Sequence, residues 1–442
     1  MATDRVIGQA GGSAADQDAG RNEEEGRGVR PRATRWTGRL TVLALLVLAL
    51  PVLSAVAPPA GAVAVPSARP NIVLILLDDL DARSVEAMPN VMSLLRDQGT
   101  TFENFFVTTP LCCPSRASIL RGQYAHNHGV LRNVKKGRKP GGFPTFLELG
   151  REGSTVATWL HDAGYRTALV GKYLNQYPEG AEPGHVPPGW DEWSAEARGQ
   201  YFNYRLNENG TVVRYGRDPG DYQTDVLAAK ATDFVARSAV DDRPFFLYLA
   251  PHAPHTPATP APRHAEAFAG ATAPRAPSFN EADVGDKPGW VRAAPALSAD
   301  EIAGIDELHR QRSRSLLAVD DMVAALVDAL RAGGALDDTY VLLTSDNGFH
   351  QGEHRLPGGK GDPYEASIRV PLLVRGPGVA AGGTVGELAL NVDLAPTLAE
   401  LAGATAPGFV DGRSLVPLLA GEPPPAWRRA LLVELFGGEG RV

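Results

Sequence analysis

In the run NIVLILL at residues 71–77, no polar residue interrupts the stretch from Ile72 to Leu77, and two acids, Asp78 and Asp79, follow at once. A strand with one wet face would alternate apolar and polar residues. An unbroken apolar run of this length instead reads as a strand buried on both faces of a sheet. The pattern recurs along the chain. YRTALVG (165–171) precedes Lys172, PFFLYLA (244–250) precedes His252 and His255, and TYVLLTS (339–345) precedes Asp346 and Asn347. VPLLVRG (370–376) completes this set of strands. Helical periodicity lies between them, in STVATWLHDAG (154–164, Ser154 read as N-cap and Gly164 as C-cap), TDVLAAKATDFVARSA (224–239), a long stretch from Ser298 to about Gly333, and NVDLAPTLAELAG (391–403). Such alternation predicts an α/β fold with a mainly parallel central sheet sandwiched by helices.

The flanks read differently. Residues 1–34 are polar and poor in aromatics, the composition of a disordered segment. Residues 35–64 present Arg35 and Arg39, an apolar run from Leu40 to about Ala57, then Ala62–Ala64, which is the order of a signal peptide. The rival reading is a membrane anchor, and Pro51 inside the run favours cleavage and a secreted or extracytoplasmic protein. The main domain is assigned to 69–420, and a family resemblance carried by residues 112–122 implies that 421–442 is the start of a small C-terminal sheet subdomain, short or truncated. RALLVELF (429–436) is its expected first strand, either lying as an edge strand on the main domain or marking truncation. The Pro/Ala-rich 254–277 reads as a surface loop. Net charge is −8, with 43% hydrophobic and 21% charged residues. That balance argues against nucleic acid as a partner but leaves room for a small anion held by local cations.

Ligands of open α/β sheets gather outside the carboxyl ends of the strands. Asp78, Asp79, Asp346 and Asn347 offer only oxygen donors, which suit Ca²⁺, and after it Mg²⁺, better than zinc or copper. For either pair alone, helix capping or a solvated turn is an adequate account; two pairs at two strand ends favour a metal. Arg116, Lys172, Lys360, His252 and His255 would surround an anion held against it. Cys112 and Cys113 are the only cysteines. Neighbours of this kind rarely bridge each other and make a poor zinc site. Taken alone, they read as two small buried hydrophobes.

The stretch CCPSRASILRG (112–122) resembles the signature of the sulfatase family, Cys-x-Pro-Ser-Arg followed by Leu120 and Gly122. The resemblance extends over roughly 69–420 through Asp78-Asp79, Gly171-Lys172, HAPH (252–255), SDNG (345–348) and Lys360. SDNGFHQGEHRLPGGKGDPYE and GKYLNQY are most similar to the N-acetylglucosamine-6-sulfatase and arylsulfatase branch. It implies an alkaline-phosphatase-like fold and hydrolysis of a sulfate monoester, on a sulfated sugar such as N-acetylglucosamine 6-sulfate, a sulfated glycan or an aryl sulfate. It also implies that Cys112 is oxidised to Cα-formylglycine by a formylglycine-generating enzyme acting on the unfolded chain, and that its hydrate attacks sulfur. Carried over by position, Asp78, Asp79, Asp346, Asn347 and modified Cys112 hold Ca²⁺. Arg116 holds the hydrate, Lys172 and Lys360 bind sulfate oxygens, His252 lines the substrate site, and His255 protonates the leaving oxygen. Many relatives have His two positions after the lysine, where this chain has Leu174 followed by Asn175. A phosphonate or phosphate monoester hydrolase on the same fold, and a non-catalytic binder of sulfated glycans, are the alternatives. Asp346→Ala is expected to lose activity with the fold largely retained.

Overall fold

The computed structural model describes residues 69–436; the signal-like segment 35–64 and the polar residues 1–34 lie outside them. Twelve strands occur among the described residues. They are β1 (Asn71–Leu77), β2 (Thr100–Phe102), β3 (Phe105–Phe106), β4 (Arg166–Gly171), β5 (Glu192–Arg198), β6 (Arg205–Glu208), β7 (Thr211–Arg214), β8 (Phe245–Ala250), β9 (Thr339–Ser345), β10 (Leu372–Arg375), β11 (Gly383–Val385) and β12 (Ala389–Leu390). Ten of them form one sheet in the order β11-β2-β10-β9-β1-β8-β4-β5-β6-β7, and β3 pairs with β12. The central block β9-β1-β8-β4-β5 is parallel. β10 and β6 run antiparallel to it on either side, so VPLLVRG supplies a strand of opposite direction.

β1 shows why the sheet needs two covers. Ile72, Leu74 and Leu76 point into one apolar cluster, which the helices Cys112–Arg121, Val156–Asp162 and Leu394–Leu401 complete. Val73, Ile75 and Leu77 point into a second, packed under Gln223–Ser238 and Ala299–Ala332. The strand period of two sends neighbours to opposite faces, so a strand covered twice must be apolar throughout. Register then fixes where the strands end together. Leu77 pairs with Ser345 and Gly171 with Ala250, which brings the residues after β1, β9, β4 and β8 to one edge. Gly171 is required there: its φ is +112°, and a Cβ would lie 2.1 Å from the Ala250 carbonyl oxygen.

Several local expectations change. Thr155, not Ser154, caps the helix Val156–Asp162, in a reciprocal pair with Thr158; Ser154 Oγ accepts from Trp159 Nε1 instead, at 2.9 Å. CCPSRASILR, which carried no helical reading, forms a fully buried helix closed by left-handed Gly122. RALLVELF does not enter a sheet. It forms no regular element and is held where the Glu434 amide donates to the Thr108 carbonyl (2.8 Å) and the Glu434 carboxylate accepts from the Ala125 amide (3.0 Å). The long loop after His255 is irregular apart from one short turn at Pro262–His264, as its composition suggests.

Buried His128 gives a stability test. Its Nδ1 accepts from the Val130 amide (3.1 Å) and its Nε2 lies 3.1 Å from Ser118 Oγ, an arrangement suited to the neutral ring. Burial, then the charges of Arg121 and Arg151, push it from 6.5 down to about 3. Between those values the unfolded chain binds a proton that the folded chain refuses, so stability falls as pH falls, by ~1.4 kcal/mol per pH unit for this group. The melting temperature should drop on acidification below about pH 6.5, and His128→Gln should flatten that slope. An unchanged slope would contradict the assignment.

Candidate active site

Three carboxylates, three cations and one thiol meet at the carboxyl edge of β9, β1, β8 and β4. Asp78, Asp79, Asp346, Asn347, Cys112 and Arg116 are all essentially inaccessible. Cys112 opens the helix Cys112–Arg121, whose N-terminus carries partial positive charge toward the acids. The Cys113 amide, one of that helix's unpaired donors, donates to Asn133 Oδ1 at 2.8 Å. Cys112 Sγ donates to Asp78 Oδ1 (3.3 Å) and accepts from Lys360 Nζ (2.8 Å). Lys172 Nζ donates to Asp78 Oδ2, and Lys360 Nζ also donates to Asp79 Oδ1.

Arg116 anchors the far side. Its Nε donates to Asp346 Oδ2 (2.7 Å) and its Nη1 to the Lys172 carbonyl (2.9 Å). The other Asp346 oxygen accepts from the Asp79 amide at 3.2 Å. The structure therefore places Arg116 on Asp346 and on the backbone of the lysine loop.

Electrostatics follow from burial without water. Burial pushes Asp78 up, but Lys172, His255, Arg116 and Lys360 outweigh it and hold the group well below the usual carboxylate range. Asp79 is lowered in the same way, against burial, chiefly by Lys360 and His255. Asp346 is raised by burial and by the Asp78 charge, with Arg116 opposing. Burial and Asp78 also push the Cys112 thiol upward. A thiol held protonated is a poor nucleophile.

The donor set can be tested against a metal ion. Asn347 gives its Nδ2 protons to Asp79 Oδ1 (2.7 Å) and the Gly348 carbonyl (2.8 Å), while its Oδ1 is buried with no donor. An acceptor buried without a partner costs ~1–3 kcal/mol, and a hard cation would remove that cost. Asp78, Asp79, Cys112 and His255 each bring one ligand atom within 4.8 Å of the others. The carboxylates and the Asn347 oxygen suit a hard divalent ion, while the Cys112 sulfur and the His255 nitrogen are softer donors; Asp346 is drawn toward Arg116.

The histidines separate. His255 Nδ1 donates to the Thr256 carbonyl (2.7 Å), which leaves Nε2 facing Asp79 Oδ2 at 3.8 Å; burial lowers its pKa, against the pull of Asp78 and Asp79. His252 is buried with Nδ1 unpartnered, 3.7 Å from Glu196 and 4.0 Å from Asp78. His350 and His354 serve the surrounding loop, on Asp362 (2.8 Å) and Glu281 (2.9 Å). Leu174 is buried in the apolar cluster, and the Asn175 side-chain oxygen is buried without a partner.

Two neighbours escaped the sequence reading. Glu196 lies within an acid-bearing strand, EWSAEAR, whose charges hid it among edge segments. Arg312 lies mid-helix, where its Nη2 donates to the Asp79 carbonyl (2.6 Å) and its guanidinium stacks 4.3 Å over Phe349. Its signal was available: an arginine on the buried stripe of Ile305, Leu316, Val319 and Val323 needs a buried acceptor. The acceptor is a strained one, since Asp79 has φ +69°.

The sulfatase family model matches residues 70–404. The chain is 39% identical over 394 residues to N-acetylglucosamine-6-sulfatase of Capra hircus, covering 85% of this chain and 68% of that one. It is 38% identical over 357 residues to an extracellular sulfatase SULF-1 homolog of Drosophila melanogaster, covering 79% of this chain and 31% of that one. Among solved structures, BT4656 in complex with its substrate D-glucosamine-2-N,6-O-disulfate aligns at a TM-score of 0.65 and 26% identity, over 82% of each chain. The chain belongs to the sulfatase family, whose members are sulfuric ester hydrolases.

Asp346→Ala should be worse than a simple loss of activity. It leaves the Arg116 guanidinium buried and unpaired, a defect that costs ~3–5 kcal/mol. Denaturant unfolding should show that loss, with part of it recovered in Asp346→Ala/Arg116→Met. A single variant as stable as the parent would contradict the buried pair.

Proposed function

We propose that this chain is an exported sulfatase that hydrolyses the sulfate monoester of a sulfated amino sugar, with N-acetylglucosamine 6-sulfate as the reference substrate. The observation that carries this reading is the convergence of Cys112, two lysines, two carboxylates and the unsatisfied Asn347 oxygen on one strand edge. The similarities to a sulfatase of N-acetylglucosamine 6-sulfate and to a structure holding a 6-O-sulfated glucosamine support the substrate class. Extracellular relatives, and the signal-like order of residues 35–64, support export. Among the described residues no helix is long and apolar enough to cross a membrane.

In this reading Cys112 is converted to Cα-formylglycine. The formylglycine would supply an oxygen nucleophile, and Asp78, Asp79, Asp346 and Asn347 would hold a Ca²⁺ whose chemistry there would be to acidify a bound oxygen and polarise the ester. The chain's own side chains do the rest. Lys172 and Lys360 sit on Asp78 and Asp79; were those carboxylates to hold the ion, the two ammonium groups would be free to neutralise sulfate oxygens. Arg116 keeps Asp346 and the lysine loop in register. His255 has Nδ1 fixed as a donor on a backbone carbonyl, so Nε2 is the nitrogen open to the departing sugar oxygen, and it is the doubly protonated ring that carries a proton there to give. His252, between Asp78 and Glu196, lines the substrate side.

Mass spectrometry of the peptide containing Cys112, from protein made in its native host, tests the modification. An aldehyde in place of the thiol is expected; unmodified thiol throughout would end this mechanism. His255→Gln should lower turnover of a sugar sulfate by ~10²–10⁴ and that of nitrophenyl sulfate much less, because nitrophenolate leaves without a proton. Equal losses on both esters would remove His255 as the acid. Turnover of nitrophenyl phosphate well above nitrophenyl sulfate would overturn the sulfatase reading itself.

A further inference from the structure

Between Glu103 and Glu148 the chain contains no Asp or Glu, although it carries 51 acids in all. Within that stretch RNVKKGRK (132–139) places Lys135, Lys136, Arg138 and Lys139 around a single turn. The turn is a tight hairpin: the Lys139 amide donates to the Lys136 carbonyl (3.0 Å), the reverse bond measures 3.3 Å, and Gly137 takes φ +57°. Lys136, Arg138 and Lys139 are exposed. Lys135 pairs with Glu148, but among the described residues no acid meets the other three.

The base of this hairpin is fastened to the active site. Asn133 accepts from the amide of Cys113, beside Cys112 (2.8 Å). The Lys135 amide donates to Gln176 Oε1 (2.6 Å), four residues beyond Lys172. The Gly142 amide donates to the Arg132 carbonyl (2.9 Å), and the Phe143 amide to the Asn175 carbonyl (2.8 Å). From Asn133 to Lys136 the backbone spans no more than ~11 Å. Three cations with no acidic partner among the described residues therefore stand on a hairpin tied to the Cys112 helix and to the chain after Lys172, on a protein whose net charge is −8.

We propose that the Lys135–Lys139 hairpin docks a polyanionic chain, a multiply sulfated polysaccharide, whose one sulfate ester enters the site while neighbouring sulfates lie along the turn. This rests on the sulfatase reading and extends it from a sugar to a polymer. A small ester reaches the lysines of the site alone. A polymer also gains the attraction of the hairpin, which raises its capture without touching the chemistry.

The test compares the full chain with Lys136→Gln/Arg138→Gln/Lys139→Gln, all three on the exposed turn. On immobilised heparin the parent should be retained despite its net charge, and the variant should elute at clearly lower salt. With heparin as substrate kcat/KM should fall roughly tenfold through KM, while nitrophenyl sulfate turnover stays unchanged. Identical elution of the two proteins overturns the proposal, and so does an equal loss on nitrophenyl sulfate, which would make the hairpin structural. Displacement by single-stranded DNA as effective as by heparin at matched charge overturns the assignment to sulfated glycans. If neither protein cleaves any sulfate ester yet the elution shift remains, the activity reading fails and the docking surface stands.

Discussion

Everything at the strand edge depends on charge balance among largely buried groups. Three carboxylates, Asp78, Asp79 and Asp346, face three cations, Arg116, Lys172 and Lys360, with the Cys112 thiol and His255 between them. Separated, any of these charges would be prohibitively desolvated; together they are nearly neutral. Neutrality also explains how the site could accept its reactants. A divalent cation alone leaves two uncompensated positive charges; a bound sulfate ester, a monoanion, would offset one of them, and the sulfate dianion released on hydrolysis would offset both. In the proposed mechanism the two lysines that quench carboxylates are the groups that would meet the anion.

The surrounding fold holds this arrangement against its own strain. Asp79 keeps a left-handed backbone because the Asp346 carboxylate takes its amide and Arg312 takes its carbonyl. Gly171 lets the lysine loop turn where any side chain would strike Ala250. The buried helix Cys112–Arg121 presents Cys112 from the opposite cover, its second amide tied to Asn133. Elements from both faces of the sheet thus meet at one edge.

Much of this was legible in the sequence because doubly covered strands have no polar positions to confuse the reading. NIVLILL and TYVLLTS matched their strands residue for residue, and the groups following them were brought together. The outer strands were invisible: EWSAEAR and its hairpin partners are half exposed and charged, so nothing in their pattern separates them from loop. The Cys112 helix was missed for a different reason: it is buried on all sides and has no amphipathic period to detect. RALLVELF misled because apolar residues laid over a surface look the same as a strand when their hydrogen-bond partners are unknown. The positions of His255 and Arg312 around Asp79 are three-dimensional facts that spacing does not encode.

The central claim is that the buried centre binds a hard cation and a sulfate group as a charge-compensated pair. Calorimetric titration of the purified full-length chain with Ca²⁺, with and without saturating sulfate at matched ionic strength, tests it directly. The account predicts that sulfate tightens Ca²⁺ binding by about tenfold or more, with Ca²⁺ tightening sulfate by the same factor. Calcium affinity that sulfate leaves unchanged, or weakens, would contradict it.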